Sequence, residues 1–112
     1  MPFISVKTNA NLSKENITSL KTKLGDAISL FPGKSESWLM CEIEGNKSMF
    51  FKGSEENCAF VEVKLFGSVE EGASEKFTAE ICNEMKKYGI DESRVYVRYQ
   101  GGTDWGWNGS NF

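Results

Sequence analysis

The sequence predicts an α+β fold in which two pseudo-symmetric β-α-β units form one four-stranded mixed sheet with two helices on one face. The first observation is a repeat, since Phe3–Lys7 reappears 57 residues later as Phe60–Lys64. The second is that the apolar residues after each copy match at the same offset and recur every three or four positions, as on one face of a helix. The third is a further apolar run after each predicted helix. We therefore predict a single domain over residues 1–112, with repeats at about 2–57 and 59–112.

The first unit begins with a strand over Phe3–Thr8 and continues into a helix. Ser13 is the predicted N-cap, because its hydroxyl can accept from an unpaired amide of the first turn. The helix is expected to end at about Phe31, since Pro32 removes a backbone donor and Gly33 permits a left-handed stop.

The second unit repeats this order after the strand Phe60–Lys64. Its helix is predicted to start at Ser68, with Glu71 reaching back as a capping box, and to end near Gly89. A second strand follows each helix, at Trp38–Ile43 in the first unit and Val95–Tyr99 in the second. Right-handed crossovers then place both helices on the same side of the sheet.

Alternation within the strands predicts two unlike sheet faces, because successive side chains of a strand point in opposite directions. The face toward the helices is apolar: Ile4, Val6, Leu39, Cys41, Ile43, Val61, Val63, Leu65, Val95, Val97 and Tyr99. The opposite face, here called the polar face, mixes aromatic and charged residues: Phe3, Ser5, Lys7, Trp38, Met40, Glu42, Phe60, Glu62, Lys64, Tyr96 and Arg98.

Aromatic residues beside charges on the polar face predict an oligomer in which sheets pack together. The charged positions would then line a wet interior or pair across subunits. The alternative is that the polar face is an ordinary solvent-exposed surface.

Composition excludes several classes of function. A net charge of −3 and a pI near 5.0 argue against nucleic acid or an anionic membrane as the partner. No segment approaches the ~18 apolar residues of a membrane span, so membrane insertion is not expected. The three cysteines are widely spaced without a C-x-x-C, which indicates neither a disulfide framework nor a zinc site. We expect a cytoplasmic protein.

Pro2 is a candidate catalytic group, because the chain contains no histidine and a small second residue normally permits removal of the initiator methionine. Removal of Met1 would leave a free secondary amine at the start of a strand. An ordinary N-terminal amine has a pKa of ~7.7 to 8.0, and burial lowers the pKa of an amine. A desolvated Pro2 amine could therefore act as a general base at neutral pH. The alternative is that Pro2 only permits processing.

Several short motifs, in order along the whole chain, resemble the macrophage migration inhibitory factor family of the tautomerase superfamily. They are Met1-Pro2, Thr8-Asn9, Gly33-Lys34, Gly53-Ser54 with Glu55 and Cys58, Gly67, Arg94-Val95-Tyr96, and Gly106 to Phe112. Each is weak alone, and together they are fairly specific.

This resemblance implies a homotrimer of β-α-β-β-α-β subunits whose sheets form an inner barrel, with an active site at each subunit interface. It implies that Pro2 is the catalytic base of a keto-enol tautomerase, an isomerase acting on phenylpyruvate- or hydroxyphenylpyruvate-like acids and on dopachrome-type substrates. It implies no cofactor.

The resemblance also supplies substrate-binding residues. It indicates Lys34 for the substrate carboxylate, with a solvated surface lysine as the alternative, and Tyr96 as a contact from the neighbouring subunit. Phe66 stands where the family has an aliphatic residue whose backbone N–H contacts ligand, so a phenyl ring should narrow the pocket. Arg98 replaces an asparagine, and either binds a carboxylate bidentately or forms an interface salt bridge to Glu42 or Glu62.

The last thirteen residues, Gln100–Phe112, are rich in glycine, asparagine and serine, which alone would indicate a flexible end. Three large aromatic residues there would be costly to leave in water, so we expect the tail to fold onto a partner subunit. The resemblance places Trp107 and Phe112 in the wall of the site and Trp105 near its mouth. Together with Phe3, these residues complete the predicted substrate-binding set.

The sequence departs from the family at two places. Val61 stands where vertebrate-type members have the second cysteine of a C-x-x-C, so we expect no thiol oxidoreductase activity. Leu12 and Asn46 replace an arginine and an aspartate of the chemokine-like receptor contact, whereas the invariant-chain receptor stays a candidate host partner.

The resemblance also implies that the tautomerase doubles as a cytokine. Two alternative functions stay open. The chain could be a cytokine mimic secreted by a leaderless route, in which tautomerase activity is incidental. A weaker alternative is hydration or dehalogenation of unsaturated acids, as in other tautomerase groups.

Overall fold

The computed structural model describes residues 1–112 and contains two long helices and six strands. The elements are β1 (Pro2–Thr8), α1 (Lys14–Ala27), β2 (Met40–Glu44), β3 (Ala59–Leu65), α2 (Glu71–Met85), β4 (Val95–Gln100), β5 (Gly106–Trp107) and β6 (Ser110–Asn111). Short 3₁₀ turns lie at Ile28–Leu30, Glu36–Trp38, Lys86–Tyr88 and Glu92–Arg94. No helix is long and apolar enough to cross a membrane.

The main sheet has four strands in the order β2-β1-β3-β4, which confirms the predicted α+β fold. β1 pairs with β2 in parallel and with β3 in antiparallel, and β3 pairs with β4 in parallel. Each parallel pair joins the two strands of one β-α-β unit, and the antiparallel pair of first strands joins the units. Pro2 lies opposite Leu65, so the start of β1 meets the end of β3.

Both helices pack on one face of the sheet and enclose a single apolar core of 17 buried residues. The repeat-related positions Leu20 and Phe77 are both fully buried, as are Leu24 and Ile81. The Phe77 ring also contacts Phe31, with centroids 5.6 Å apart. The predicted apolar face therefore forms the core, with the β3 residues fully buried and those of the edge strands β2 and β4 partly covered.

Of the two predicted helix starts, that of α1 is confirmed and that of α2 is wrong. Ser13 caps α1 by accepting from the Asn16 backbone N–H at 3.1 Å, and the Asn16 side chain accepts from the Ser13 N–H. The predicted start of α2 at Ser68 is wrong. Glu70 is the N-cap, and its carboxylate accepts from the backbone N–H groups of Gly72 and Ala73. A carboxylate at this position also interacts favourably with the helix dipole.

The second strand begins later than predicted, which changes the position of Trp38. Trp38 ends the 3₁₀ turn Glu36–Trp38, and β2 starts at Met40. Trp38 is therefore not on the polar face of the sheet as predicted. Ser5 does lie on that face but is buried, and its hydroxyl donates to Glu42 Oε1 of the neighbouring strand at 3.1 Å.

The tail forms a hairpin of β5 and β6 on its own subunit, which sequence reasoning missed. Gly67 and Gly102 exchange two backbone hydrogen bonds of 2.8 Å and tie the start of the tail to the end of β3. A Cβ at Gly101 would lie 2.4 Å from the Gly67 carbonyl oxygen, so only glycine permits this approach. The hairpin is thereby held beside the start of β1.

Candidate active site

The candidate site lies where the start of β1 meets the end of β3. Pro2 is buried, and its ring is held in the strand by pairing opposite Leu65. Met1 precedes it, and the Met1 carbonyl oxygen accepts from the Phe66 backbone N–H at 3.0 Å. The N-terminal residues and the backbone just beyond β3 are therefore in direct contact.

Lys34 reaches the same place from the turn after α1. Gly33 has a φ of 76°, the left-handed conformation that ends this segment, and the Lys34 N–H donates to the Phe31 carbonyl at 3.1 Å. The Lys34 ammonium donates to the Phe66 carbonyl oxygen at 2.8 Å and lies 5.8 Å from the centroid of the Phe66 ring. Lys34 is thus a partly buried cation beside the N-terminus and is no solvated surface lysine.

The electrostatics of this position favour a neutral amine. Partial burial lowers the pKa of the Met1 amine below its ordinary value, and the Lys34 ammonium nearby lowers that pKa further by repulsion and by hydrogen bonding. Both causes act against the charged form of any amine held here.

Two aromatic pairs wall the site. Trp38 meets Trp107 edge to face, with centroids 5.1 Å apart and an interplanar angle of 85°. Phe66 meets Phe112 at 5.1 Å and 34°. Trp107 and Phe112 remain about half exposed. The tail therefore brings Trp107 and Phe112 to the site through contacts within one subunit.

Two cavities flank the Trp38–Trp107 pair, and Met1 lines both. One has a volume of about 580 Å³ and includes Pro2, Phe3 and Trp105 in a mostly apolar lining. The other, of about 530 Å³, extends along Gly33 and Phe112. A larger groove of about 640 Å³ lies along α2, but seven of its nine lining residues are polar and Pro2 is not among them. The two N-terminal cavities are therefore the candidate site.

The subunit does not bring every predicted residue together. Tyr96 pairs with Phe60 at the start of β3, whereas Pro2 pairs with Leu65 at its end. Five residues of strand separate these positions, which is roughly 16 Å. Arg98 lies beside Glu62 in mid-strand, is exposed, and makes no salt bridge within the subunit. The roles of Tyr96 and Arg98 at a shared site stay predictions.

Trp38 is the site residue that sequence reasoning missed. It lines both cavities and is 54% exposed, with its one aromatic partner on the tail hairpin. The sequence did carry a signal. Trp38 lies between the helix-terminating turn at Gly33 and the start of β2. A large apolar side chain in such a connecting segment is not covered by sheet pairing, which indicates a partner elsewhere in the molecule.

The arrangement supplies the parts of acid–base chemistry on a small acid. An amine at the start of β1 would be a base of lowered pKa, Lys34 is a cation, and the Phe66 backbone N–H is a donor. No group of three or more aspartate, glutamate or cysteine side chains is placed to hold a metal ion.

Comparison with known proteins places the chain in a family. The family model described as macrophage migration inhibitory factor matches residues 1–112. A macrophage migration inhibitory factor homolog from Brugia malayi is 28% identical over 118 residues, covering 100% of this chain and 99% of the relative. The crystal structure of Leishmania major MIF2 superposes with a TM-score of 0.91 at 28% identity, covering 100% of this chain and 97% of that one. The structure from Trichinella spiralis has a TM-score of 0.80 at 24% identity, with 98% and 99% covered. The chain belongs to the macrophage migration inhibitory factor family.

Proposed function

We propose that this protein is a keto-enol tautomerase acting on phenylpyruvate-like and dopachrome-type substrates, with the amine of Pro2 as general base once Met1 has been removed. Family membership supports a tautomerase-type isomerase in general. The observation that carries the finer proposal is that the Met1-Pro2 terminus, which lines an aromatic cavity, also contacts the Phe66 backbone, whose carbonyl binds the Lys34 ammonium.

Removal of Met1 would change two groups at once. The Pro2 nitrogen would become a secondary amine with a lone pair, and the Phe66 N–H would lose the Met1 carbonyl that it contacts at 3.0 Å. A backbone donor left unpaired beside the cavity is costly, so a substrate oxygen that takes the place of the Met1 carbonyl and accepts from it is favoured. Processing therefore produces a base and a vacant donor side by side.

From keto acid to enol, the neutral Pro2 amine takes a proton from the carbon next to the substrate carbonyl, and ketonisation of enol-phenylpyruvate runs through the same steps in reverse. The electron pair of that C–H bond forms the enol double bond, and the carbonyl oxygen becomes the enolate oxygen. The Pro2 ammonium then returns the proton to that oxygen. Lys34 holds the substrate carboxylate as an ion pair, and the Phe66 N–H donates to the acid or to the developing oxyanion.

The same surroundings that lower the pKa of the Met1 amine would act on a Pro2 amine. Partial burial and repulsion from Lys34 both favour the neutral form. A base that is neutral near the working pH is what proton abstraction requires. The intrinsic basicity of a secondary amine opposes this effect and preserves the driving force for taking the proton.

The proposed active form is a homotrimer, in which Tyr96 and Arg98 of one subunit approach Pro2 of the next. Exposed aromatics on the polar face support association, since Tyr96 is 60% and Phe60 38% exposed. Arg98 has no carboxylate partner within the subunit and would be available to bind an acid or to pair across the interface. The Phe66 ring, which stacks on Phe112, would narrow the pocket.

The deciding experiment is a pH–rate profile for enol-phenylpyruvate with wild type and Pro2→Gly. Pro2→Gly still permits removal of Met1 but replaces the secondary amine by a primary one. We expect kcat/KM of wild type to rise as the amine deprotonates, and Pro2→Gly to lose ~10²-fold or more. Mass spectrometry of the N-terminus provides the control for processing. Undiminished turnover in Pro2→Gly would contradict the role of Pro2.

Signalling is the second candidate function, because the matching family model is named for a factor that inhibits macrophage migration. In this proposal the protein is exported, and the pocket serves as an interaction surface toward a host receptor such as the invariant chain. The test measures the protein in medium from intact cells and the response of macrophages to wild type and Pro2→Gly. A response that survives Pro2→Gly supports signalling apart from turnover, and no response to either protein contradicts it.

A further inference from the structure

We propose that Arg94 and Phe51 are positioning residues for Tyr96: the Arg94 guanidinium fixes a tight turn whose first residue, Phe51, holds the Tyr96 ring in one orientation on the polar face. The inference deepens the proposed function and rests on it, because Tyr96 is a substrate contact only in that proposal.

Residues 51–54 form the tight turn. Phe51 and Ser54 exchange two backbone hydrogen bonds of 3.0 and 3.1 Å across Lys52 and Gly53. Lys52 has a φ of 53° and Gly53 a φ of 75°, so both central residues of the turn are left-handed. A positive φ at lysine costs free energy, and its presence indicates that other contacts hold this turn in place.

Arg94 supplies those contacts from the residue just before β4. Its Nε donates to the Asn57 carbonyl at 3.0 Å. Its Nη2 donates to the carbonyls of Phe51, Ser54 and Glu56 at 3.1, 3.1 and 2.9 Å. The guanidinium also lies 5.2 Å from the Phe51 ring centroid. Arg94 has no carboxylate partner, so its hydrogen-bonding capacity is directed at this turn and at the loop that follows it.

Asn9 holds the same loop from the other side. Its side-chain N–H₂ donates to the Glu55 carbonyl at 2.9 Å, and its oxygen accepts from the Cys58 N–H at 2.8 Å. The loop between β2 and β3 is thus fixed at both flanks, by the end of β1 and by the start of β4. A loop fixed in this way presents Phe51 at a constant position.

Phe51 uses that position to contact Tyr96. The two rings meet edge to face, with centroids 5.1 Å apart and an interplanar angle of 78°. Tyr96 is 60% exposed, and its hydroxyl makes no hydrogen bond in the subunit. Phe51 is the one aromatic partner of Tyr96. A substrate that accepts from the free Tyr96 hydroxyl binds more tightly when the orientation of the ring is fixed before binding.

The test compares Phe51→Leu with the matched control Phe50→Leu, which removes an exposed phenylalanine that has no aromatic partner. We expect Phe51→Leu to raise KM for enol-phenylpyruvate about 2- to 10-fold with kcat little changed, as loss of one edge-to-face contact allows. Phe50→Leu should leave KM unchanged. Phe51→Tyr keeps the ring and should restore KM. Arg94→Lys keeps the charge, lacks the planar fork, and should raise KM in the same direction.

A double-mutant cycle separates positioning from a general structural role. In a Tyr96→Leu background, Phe51→Leu should have no further effect on KM, because the ring that it orients is gone. A wild-type KM for Phe51→Leu, or an equal rise with and without Tyr96, overturns the proposal. Pro2→Gly tests the proposed function separately. Turnover that survives Pro2→Gly overturns the proposed base and this inference with it. A wild-type KM in Phe51→Leu overturns only the positioning role.

One measurement does not require any variant to fold. In wild-type protein with ¹³C-labelled aromatic rings, we expect nuclear Overhauser contacts between the rings of Phe51 and Tyr96 at the substrate-free site. Absence of these contacts overturns the proposal.

Discussion

The two β-α-β units of this protein share one local structure and use it in two ways. In each unit the second strand is preceded by a 3₁₀ turn of almost the same sequence, Glu36-Ser37-Trp38 in the first unit and Glu92-Ser93-Arg94 in the second. In each unit the last residue of the turn directs its side chain away from the core. Trp38 meets one ring of the tail hairpin and is 54% exposed. Arg94 donates to four backbone carbonyls.

This difference shows that the repeated backbone does not decide where the site lies. At the first turn, an apolar side chain with few partners leaves cavities on both of its sides. At the second, a cation with many partners fills the equivalent space and fixes a loop. The first unit also begins at Pro2, whereas the matching residue of the second unit, Ala59, lies within the chain opposite Thr8. Chemistry is therefore expected at one end of the pseudo-symmetric sheet only.

The largest expected effect comes from making the first unit resemble the second at its start. Inserting one alanine between Met1 and Pro2 would leave an alanine on Pro2 after processing, so that the Pro2 nitrogen becomes an amide, as the nitrogen of Ala59 is. Because an amide cannot act as a base at neutral pH, we expect kcat/KM for enol-phenylpyruvate to fall ~10²- to 10⁴-fold. Single-turnover assays with N-terminal mass spectrometry measure this. Wild-type turnover in the variant with the inserted alanine would contradict a catalytic role of the free Pro2 amine, and with it the proposed difference between the units.

The core should not show this asymmetry. Leu20 and Phe77 occupy the same position of the two repeats, and both are fully buried. We expect Phe77→Ala to lower the free energy of unfolding by ~3 to 5 kcal/mol and Leu20→Ala by ~2 to 5 kcal/mol, through lost burial and a residual cavity. Urea unfolding followed by circular dichroism is the measurement. A loss below ~1 kcal/mol for either variant would mean that the two units do not contribute equally to one core.

Sequence reasoning recovered the core more fully than the site, and the reason is physical. Burial repeats with the period of the element, so Leu20, Phe77 and the β3 residues are visible in the pattern. The start of α2 was wrong because Ser68 and Glu71 form a plausible capping box, while Glu70 lies closer to the amides that are actually exposed. The site depends on contacts distant in sequence, such as Trp38 with Trp107, and no local period encodes them. The prediction that Lys34 binds the substrate carboxylate came from the family resemblance.

The two 3₁₀ turns should differ in their contribution to stability. Arg94→Met removes the donors of four backbone carbonyls while keeping much of the side-chain length. We expect it to cost ~1 to 3 kcal/mol, because each of these carbonyls loses one hydrogen bond and those of Phe51 and Ser54 keep only the bonds that the two residues exchange. Thermal unfolding of this variant beside Trp38→Leu makes the comparison direct, and the midpoint should fall further for Arg94→Met. An equal fall in both would indicate that the turns are stabilised in the same way.

Trp38→Leu should instead act mainly on the site. Loss of the edge-to-face pair with Trp107 is worth ~0.5 to 1.5 kcal/mol, which corresponds to about a 2- to 10-fold rise in KM if the pair shapes the bound state. Steady-state kinetics with phenylpyruvate measures it, and Phe50→Leu, which removes another exposed ring, serves as control. A rise of KM in Phe50→Leu but not in Trp38→Leu would place the substrate elsewhere.

The smallest effect concerns the amine at the start of the first unit, in protein that retains Met1. Burial and Lys34 lower the pKa of this amine in the folded state below its unfolded value near 8. Between the lowered pKa and about pH 8 the unfolded chain binds more protons than the folded one, so stability rises with pH across that window. The penalty is complete below the lowered pKa and absent above pH 8. The urea midpoints at pH 6 and pH 8.5 should therefore differ more for protein with a free Met1 amine than for protein acetylated at that amine, where the amine cannot titrate. An identical pH dependence in the two proteins would mean that the amine is as well solvated in the fold as in the unfolded chain, and that the first unit has no special environment at its start.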